Sequence, residues 1–216
     1  MDTAAARRQM VDQQIRTWEV LDERVLDALG AIPREAFAPA GFEDLAFADA
    51  PIPIGFGQTM LAPKMHGRIL QSLAINPIDS VLEIGTGTGY LAACLALLAR
   101  KVKSIDVHPE FVALARRNLA HARGADVEIG LRDAFAPGPL GGFDVIAVTG
   151  SMPVYDARFA AALAPGGRLF AIVGAAPVME AILVRRVSAA EWTRESLFET
   201  VVEPLTGSAA PNGFVF

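Results

Sequence analysis

Cysteine is nearly absent: Cys94 is the only one among 216 residues, so no internal disulfide can form. It sits in the apolar run Leu91-Ala-Ala-Cys-Leu-Ala-Leu-Leu-Ala99, where burial is expected, and a reducing compartment such as the cytoplasm is the expected setting. Long apolar runs are lacking too. None approaches the roughly 18 residues a spanning helix needs, and Met1-Asp2-Thr3 does not begin a charged start followed by an apolar stretch and a cleavage site. A soluble chain with no membrane partner is expected. Nor is positive charge in excess. Acidic residues number 24 against 19 basic ones, for a formal net charge of -5. The arginines fall in separated pairs (Arg7/Arg8, Arg116/Arg117, Arg185/Arg186), which offer no phosphate track and imply no nucleic-acid partner. His66, His108 and His121 lack the paired spacing of a metal site, so surface or helix-end positions are expected for them, and no metal. No G-x-x-x-x-G-K-[ST] loop occurs, which argues against ATP hydrolysis.

What is present is apolar and ordered. Hydrophobic residues make up 52% of the chain, enough for a sizeable core in a single domain over 1–216. From Asp2 to Ala50 the positions Met10, Ile15, Val20, Val25, Leu26 and Leu29 fall loosely at helical spacing, and Pro33 and Pro39 cut the region into short helices. Residues 49–63 hold three prolines and two glycines, which suit neither helix nor central strand, so a shaped loop is expected. A helix carrying Met65, Ile69, Leu70 and Leu73 follows, closed by Asn76-Pro77.

Strand and helix patterns then alternate. Strands are expected at Val81–Ile84, Val102–Asp106, Val127–Gly130, Phe143–Thr149 and Gly167–Val173, with helices at Leu91–Ala99, Phe111–Ala122 and Tyr155–Leu163. Such alternation implies right-handed crossovers and a mostly parallel sheet covered on both faces. Ala181–Val187 and Ser196–Leu205 suggest an antiparallel pair at the C-terminal edge. The chain therefore divides into a helical N-terminal cap with its loop (1–63), a core (64–180) and edge strands (181–216).

The most informative stretch is Val81-Leu-Glu-Ile-Gly-Thr-Gly-Thr-Gly-Tyr90, a buried strand running into glycines at alternate positions and then an apolar helix. Gly85, Gly87 and Gly89 let backbone approach a nucleoside, but their spacing is not the G-x-G-x-x-G of dinucleotide sites, which disfavours a nicotinamide-dependent reductase. Asp106 ends the next strand about twenty residues on, where an acid accepts from ribose hydroxyls, or simply caps the helix beginning at Pro109. Asp133 follows the third strand and can accept from an adenine amino group, with Ala134 or Phe135 against the base. Together with Glu83 these outline an adenosine site without a phosphate cradle, as S-adenosylmethionine requires. Phe56, Phe135 and Trp192 read as packing residues.

These residues resemble the protein-L-isoaspartate O-methyltransferases. The likeness runs through Met10-Val11-Asp12, Gln14, Arg24-Val25-Leu26, Pro33-Arg34-Glu35-Ala36-Phe37, Val81 to Tyr90, Phe143 to Thr149 and Gly166-Gly167. Its most specific part is the loop Pro51-Ile-Pro-Ile-Gly-Phe-Gly-Gln-Thr59 followed by Pro63. The resemblance implies a Rossmann-like α/β methyltransferase fold and S-adenosylmethionine as cofactor. It implies cofactor contacts from Gln58, Glu83, Gly85, Thr86, Gly87, Gly89, Asp106, Asp133 and Ala134, and methyl transfer to the carboxylate of isoaspartyl residues in damaged proteins or peptides.

The chain departs from the family at a telling place. The family reads Gln-Thr-Ile-Ser, with a catalytic role for the serine, whereas this chain reads Gln58-Thr59-Met60-Leu61. Thr59, with Lys64 near it, is left to supply the polar contact at the acceptor. Arg132 stands before Asp133 where the family usually has glycine, and Gly150-Ser151 replaces a more alanine-rich segment. A lost hydrogen bond to a charged group costs about 1.5–3 kcal/mol, or one to two powers of ten in rate. Leu61 therefore weakens the isoaspartyl reaction or shapes the pocket for a different small acceptor. A non-catalytic homologue that only binds the cofactor is the third reading.

Overall fold

The computed structural model describes residues 2–120, 122 and 126–209. Helix α1 (Thr3–Met10) begins at Asp2, whose carboxylate accepts from the amides of Ala4 and Ala5 at 3.1 Å, and continues through a π turn and a 3-10 turn to Trp18. Helix α2 (Glu23–Ala31) and two 3-10 turns, Arg34–Ala36 and Glu43–Phe47, complete the N-terminal cap. The proline- and glycine-rich segment is not an irregular loop, as its composition suggests. It is an antiparallel hairpin of β1 (Ile52–Gly55) and β2 (Gln58–Met60). An isolated two-stranded ribbon tolerates Pro53, since one side of each strand needs no ladder partner.

Next come α3 (Pro63–Leu73), β3 (Ser80–Ile84), α4 (Tyr90–Leu98), β4 (Lys101–Asp106), α5 (Pro109–Leu119) and β5 (Val127–Leu131). They are followed by β6 (Phe143–Met152), α6 (Ala157–Ala161), β7 (Leu163–Ala175), β8 (Val178–Arg186) and β9 (Trp192–Thr200). The seven-stranded sheet has the order β5-β4-β3-β6-β7-β8-β9; its first five strands are parallel and the last two antiparallel. Strand order reverses between β3 and β6, the place where an open parallel sheet leaves a crevice.

Alternation along the central strands builds two apolar layers. Val81, Val102, Val145, Ala147, Phe170 and Ile172 point to one face, under the cap and α3 to α5. Leu82, Ile84, Ile105, Ile146, Val148 and Leu169 point to the other. The two covers are unequal: among the described residues the second face carries the short α6 and segments around Phe135, Leu140, Tyr155 and Leu205, rather than a full helical layer.

Beyond β9 the expected strand Ser196–Leu205 ends early, at Thr200. Residues 201–208 instead turn back over the carboxyl end of the sheet as a strap beside β6. Ser151 N donates to Glu203 O and Leu205 N to Ser151 O, both at 2.9 Å, and Ser151 Oγ donates to Val202 O at 2.8 Å. The Gly150-Ser151 pair, a departure from the family's alanine-rich segment, thereby gains a role. A carbon added at Gly150 would lie 2.9 Å from the Leu205 side chain and 3.2 Å from Glu203 O. Among the described residues no helix is long and apolar enough to cross a membrane.

Candidate active site

The glycine turn sits at the carboxyl end of β3, at the point where strand order reverses. Gly85, Gly87 and Gly89 all hold positive φ (96°, 50° and 84°), conformations that side-chain-bearing residues resist. The three do different things. A Cβ at Gly87 would enter the crevice with only Ile54 Cδ1 near it, at 3.2 Å, so its absence leaves room for a ligand. Gly85 lies against Thr149, whose hydroxyl ties the turn to β6 by donating to Gly85 O at 2.8 Å. Gly89 faces away, with Ala115 of α5 3.1 Å from where its Cβ would be, and lets α4 and α5 pack.

Four of the turn's amides are already engaged. Gly85 N and Thr86 N donate to Ile105 O at 2.9 and 3.3 Å, Gly89 N to Thr86 O at 2.9 Å, and Gly87 N to Asp106 Oδ2 at 3.0 Å. A pyrophosphate is bound through free amides, so these four positions offer it nothing. Asp106 is buried, accepts from Gly87 N and from His108 N at 3.0 Å, and keeps lone pairs toward the crevice. It is not the cap of α5, whose N-cap is His108 with no side-chain cap bond; it orders the glycine turn and lines the ligand space.

Glu83 pairs directly with Ser104 across β3 and β4, and the two side chains share a face. The Ser104 hydroxyl bonds to the Glu83 carboxyl and lies 2.6 Å from Thr86 Oγ1. Burial pushes the Glu83 carboxyl up to about 8; the Ser104 hydrogen bond opposes this and the nearby Asp106 adds to it. Ser104 was readable as a polar residue among buried strand positions, between Val102 and Asp106 on one face.

A single cavity of about 810 Å³, counting its mouth, runs from this turn to the hairpin. Gln58, Thr59, Glu83, Gly85, Thr86, Gly87, Asp106 and Ala134 all line it. Asp133 does not: it is exposed at the rim, accepting from Phe135 N at 2.8 Å, while Ala134 and Phe135 form the wall. The hairpin and the strap meet over the cavity. Gln58 Nε2 donates to Pro204 O at 3.0 Å and Thr59 Oγ1 to Glu203 Oε2 at 2.8 Å. Glu203 carried no signal in the sequence, because its segment read as strand.

Three expectations are corrected in part. His66 sits in the first turn of α3, a helix-end position, but is not at the surface: it is 4% exposed, in the cavity wall, with Nδ1 accepting from Arg34 Nη1 at 3.1 Å. Burial, and then the Arg34 charge, hold its pKa well below 6.5, so it is neutral. Phe56 and Trp192 pack, but at the surface, being 54% and 40% exposed. Phe56 is at the hairpin tip with φ 52°, stacked on His108 at 4.3 Å between ring centres. Trp192 donates to Ala160 O at 3.1 Å from the edge strand. His121 lies outside the described residues.

Leu61 is buried in the core layer at the hairpin end of the cavity, 6% exposed, with His66 and Tyr90 nearby. The Tyr90 hydroxyl is buried and has no hydrogen-bond partner among the described residues. The lining acids Asp106 and Glu203 suit a ligand that carries positive charge, as a sulfonium with an ammonium group does. Glycine-cleared space, a phosphate-free turn and acidic walls together fit S-adenosylmethionine.

A family model for protein-L-isoaspartate(D-aspartate) O-methyltransferase matches residues 5–210. A Koribacter versatilis protein-L-isoaspartate O-methyltransferase is 40% identical over 212 residues, covering 95% of this chain and 92% of the relative. One from Methanoculleus marisnigri is 41% identical, covering 93% and 88%. In fold the chain is similar to a Plasmodium falciparum protein described as a protein-L-isoaspartate O-methyltransferase, solved in complex with S-adenosyl-L-homocysteine. The TM-score is 0.82 at 18% identity, with 93% of this chain and 98% of the other covered.

Proposed function

Because the chain belongs to the protein-L-isoaspartate(D-aspartate) O-methyltransferase family, we propose that it methylates the free carboxylate of isoaspartyl residues in damaged cytoplasmic proteins, with S-adenosylmethionine as donor. When bound, the donor supplies a methyl group on a sulfonium; the acceptor's carboxylate oxygen takes it as the S–CH3 bond breaks and leaves its electron pair on sulfur. The acceptor is already ionised at neutral pH, so no residue has to remove a proton, and the chain's task is alignment. Gly85, Thr86 and Gly87 hold the donor against the turn beside Glu83, and Gly89 sets the helix behind it. Asp106 takes the ribose hydroxyls, and Asp133 with Ala134 the adenine. Gln58 and Thr59 work on the acceptor side, where Thr59 is the catalytic candidate. One domain carries all of this, its cap and hairpin (1–63) facing the acceptor, its core (64–180) the donor, and its edge strands (181–216) completing the sheet.

The observation that carries this reading is the continuity of one cavity from Gly87 and Asp106 to Leu61 and the hairpin. Donor and acceptor can meet inside it, out of water. Calorimetric titration with S-adenosylmethionine and its demethylated product should give binding, and labelled donor with an isoaspartyl peptide should give a methyl ester labile to mild base. Binding without ester on the peptide, but with methylation of small carboxylic acids, would replace this reading by the small-acceptor one. Binding with no acceptor ever methylated would leave a non-catalytic protein. Leu61→Ser restores the hydroxyl of the family pattern. It should raise turnover of the peptide about tenfold, while removal of a packed side chain lowers stability by about 2–4 kcal/mol.

A further inference from the structure

Behind Leu61 lies a buried cation with no anion. Arg34 is 0% exposed, yet its guanidinium meets no carboxylate among the described residues. Nε donates to Ala46 O at 2.7 Å, Nη2 to Leu61 O at 2.6 Å, and Nη1 to His66 Nδ1 at 3.1 Å, while the Tyr90 ring centre is 5.0 Å from its Cζ. Dipoles and a ring face offset only part of what the guanidinium loses with its water, so the surroundings stay electropositive.

The same contact fixes the tautomer of His66. A guanidinium offers donors only, so Nδ1 must accept and the ring hydrogen sits on Nε2. Nε2 has no partner among the described residues, and the ring forms cavity wall beside Leu61. The Thr59 hydroxyl already donates to Glu203, and the Tyr90 hydroxyl, though without a partner among the described residues, is itself buried. An incoming carboxylate thus meets the His66 ring in the cavity wall, backed by the positive charge of Arg34.

We propose that His66 Nε2–H binds the isoaspartyl carboxylate, in place of the hydroxyl that Leu61 lacks, and that Arg34 is the positioning residue that orients the ring and supplies the field. The assignment rests on the isoaspartyl reading above. A charge-assisted bond of this kind needs no proton transfer and leaves the second carboxylate oxygen for the methyl group.

The test uses the full chain loaded with S-adenosyl-L-homocysteine and two peptides that differ only in an isoaspartyl carboxylate or its carboxamide. Calorimetry gives their dissociation constants for the native protein, His66→Asn and His66→Gln. Asn keeps an acceptor for Arg34 near Nδ1 but loses the outer N–H, whereas Gln carries an amide nitrogen near Nε2. The native protein should prefer the carboxylate peptide by about tenfold or more. His66→Asn should reduce that preference to about twofold with the S-adenosyl-L-homocysteine affinity unchanged, and His66→Gln should recover most of it. An undiminished preference in His66→Asn overturns the assignment and leaves isoaspartyl activity standing. So does loss of S-adenosyl-L-homocysteine binding in both variants, which would make His66 a purely structural residue. If the native enzyme neither binds nor esterifies the carboxylate peptide, the functional reading falls and the assignment with it.

Discussion

Glu83 holds a carboxyl where water does not reach, and its titration should be visible in the stability of the whole protein. Unfolded, it ionises near 4.5; folded, it keeps its proton up to about 8. Across that window the native state binds more protons than the unfolded chain, so this group's contribution is intact at pH 4.5 and fades as pH rises to 8. Glu83→Gln keeps an acceptor for Ser104 but cannot ionise. The variant should therefore gain on the native protein between pH 5 and 8, by on the order of a few kcal/mol, in urea unfolding at a series of pH values; parallel curves would contradict the buried proton. At this scale the sequence was legible where backbone imposed the residue. Gly87 and Asp106 could be placed from spacing alone, because few residue types permit that turn and that hydrogen bond to its amide. His66 could not: nothing in Pro63-Lys-Met-His-Gly announces a buried ring, since its environment is made by Arg34, from a distant turn in the cap.

Among the elements, the strap over β6 depends on a missing side chain. Gly150→Ala would place a carbon against Leu205 and Glu203 O, and such overpacking costs about 1–3 kcal/mol. The strap carries Glu203, Leu205 and Thr206 into the cavity wall, so displacement should weaken S-adenosyl-L-homocysteine binding about tenfold. An affinity within twofold of native would mean the strap does not shape the site. Most helices and strands lay close to their expected places, since buried parallel strands such as Phe143–Met152 are continuous apolar runs bounded by turns. The hairpin and the strap escaped for different reasons. The hairpin's own ladder is local, Ile52 opposite Met60, but prolines and glycines mask it; the strap is held by distant partners such as Ser151, and local pattern carries no trace of such pairings.

Across the whole molecule, a buried ion pair joins the helical layer to the far half of the sheet. Arg168 on β7 bonds to Asp79, just ahead of β3, at 2.6 Å, and its guanidinium also donates to the carbonyls of Leu73 and Ala74 at the end of α3. Arg168→Ala would leave Asp79 charged, buried and without that partner, and should cost about 3–5 kcal/mol of unfolding free energy, read from urea or thermal transitions. A loss below about 1 kcal/mol would show that water replaces the arginine at no penalty. The mostly parallel sheet followed from the alternation of elements; its strand order and the unequal covering of its faces did not, because composition says neither which strands pair nor how long a covering helix will be. The crevice has a floor laid down mid-chain and a roof stitched from segments about 145 residues apart, Gln58 to Pro204 and Thr59 to Glu203. Such a closure comes late, since contacts so distant in sequence carry the largest loop entropy. During synthesis on the ribosome the glycine turn can fold well before the strap exists, so a nascent chain would expose an unroofed nucleoside seat, and the power to modify other proteins would arrive only once the strap has been made.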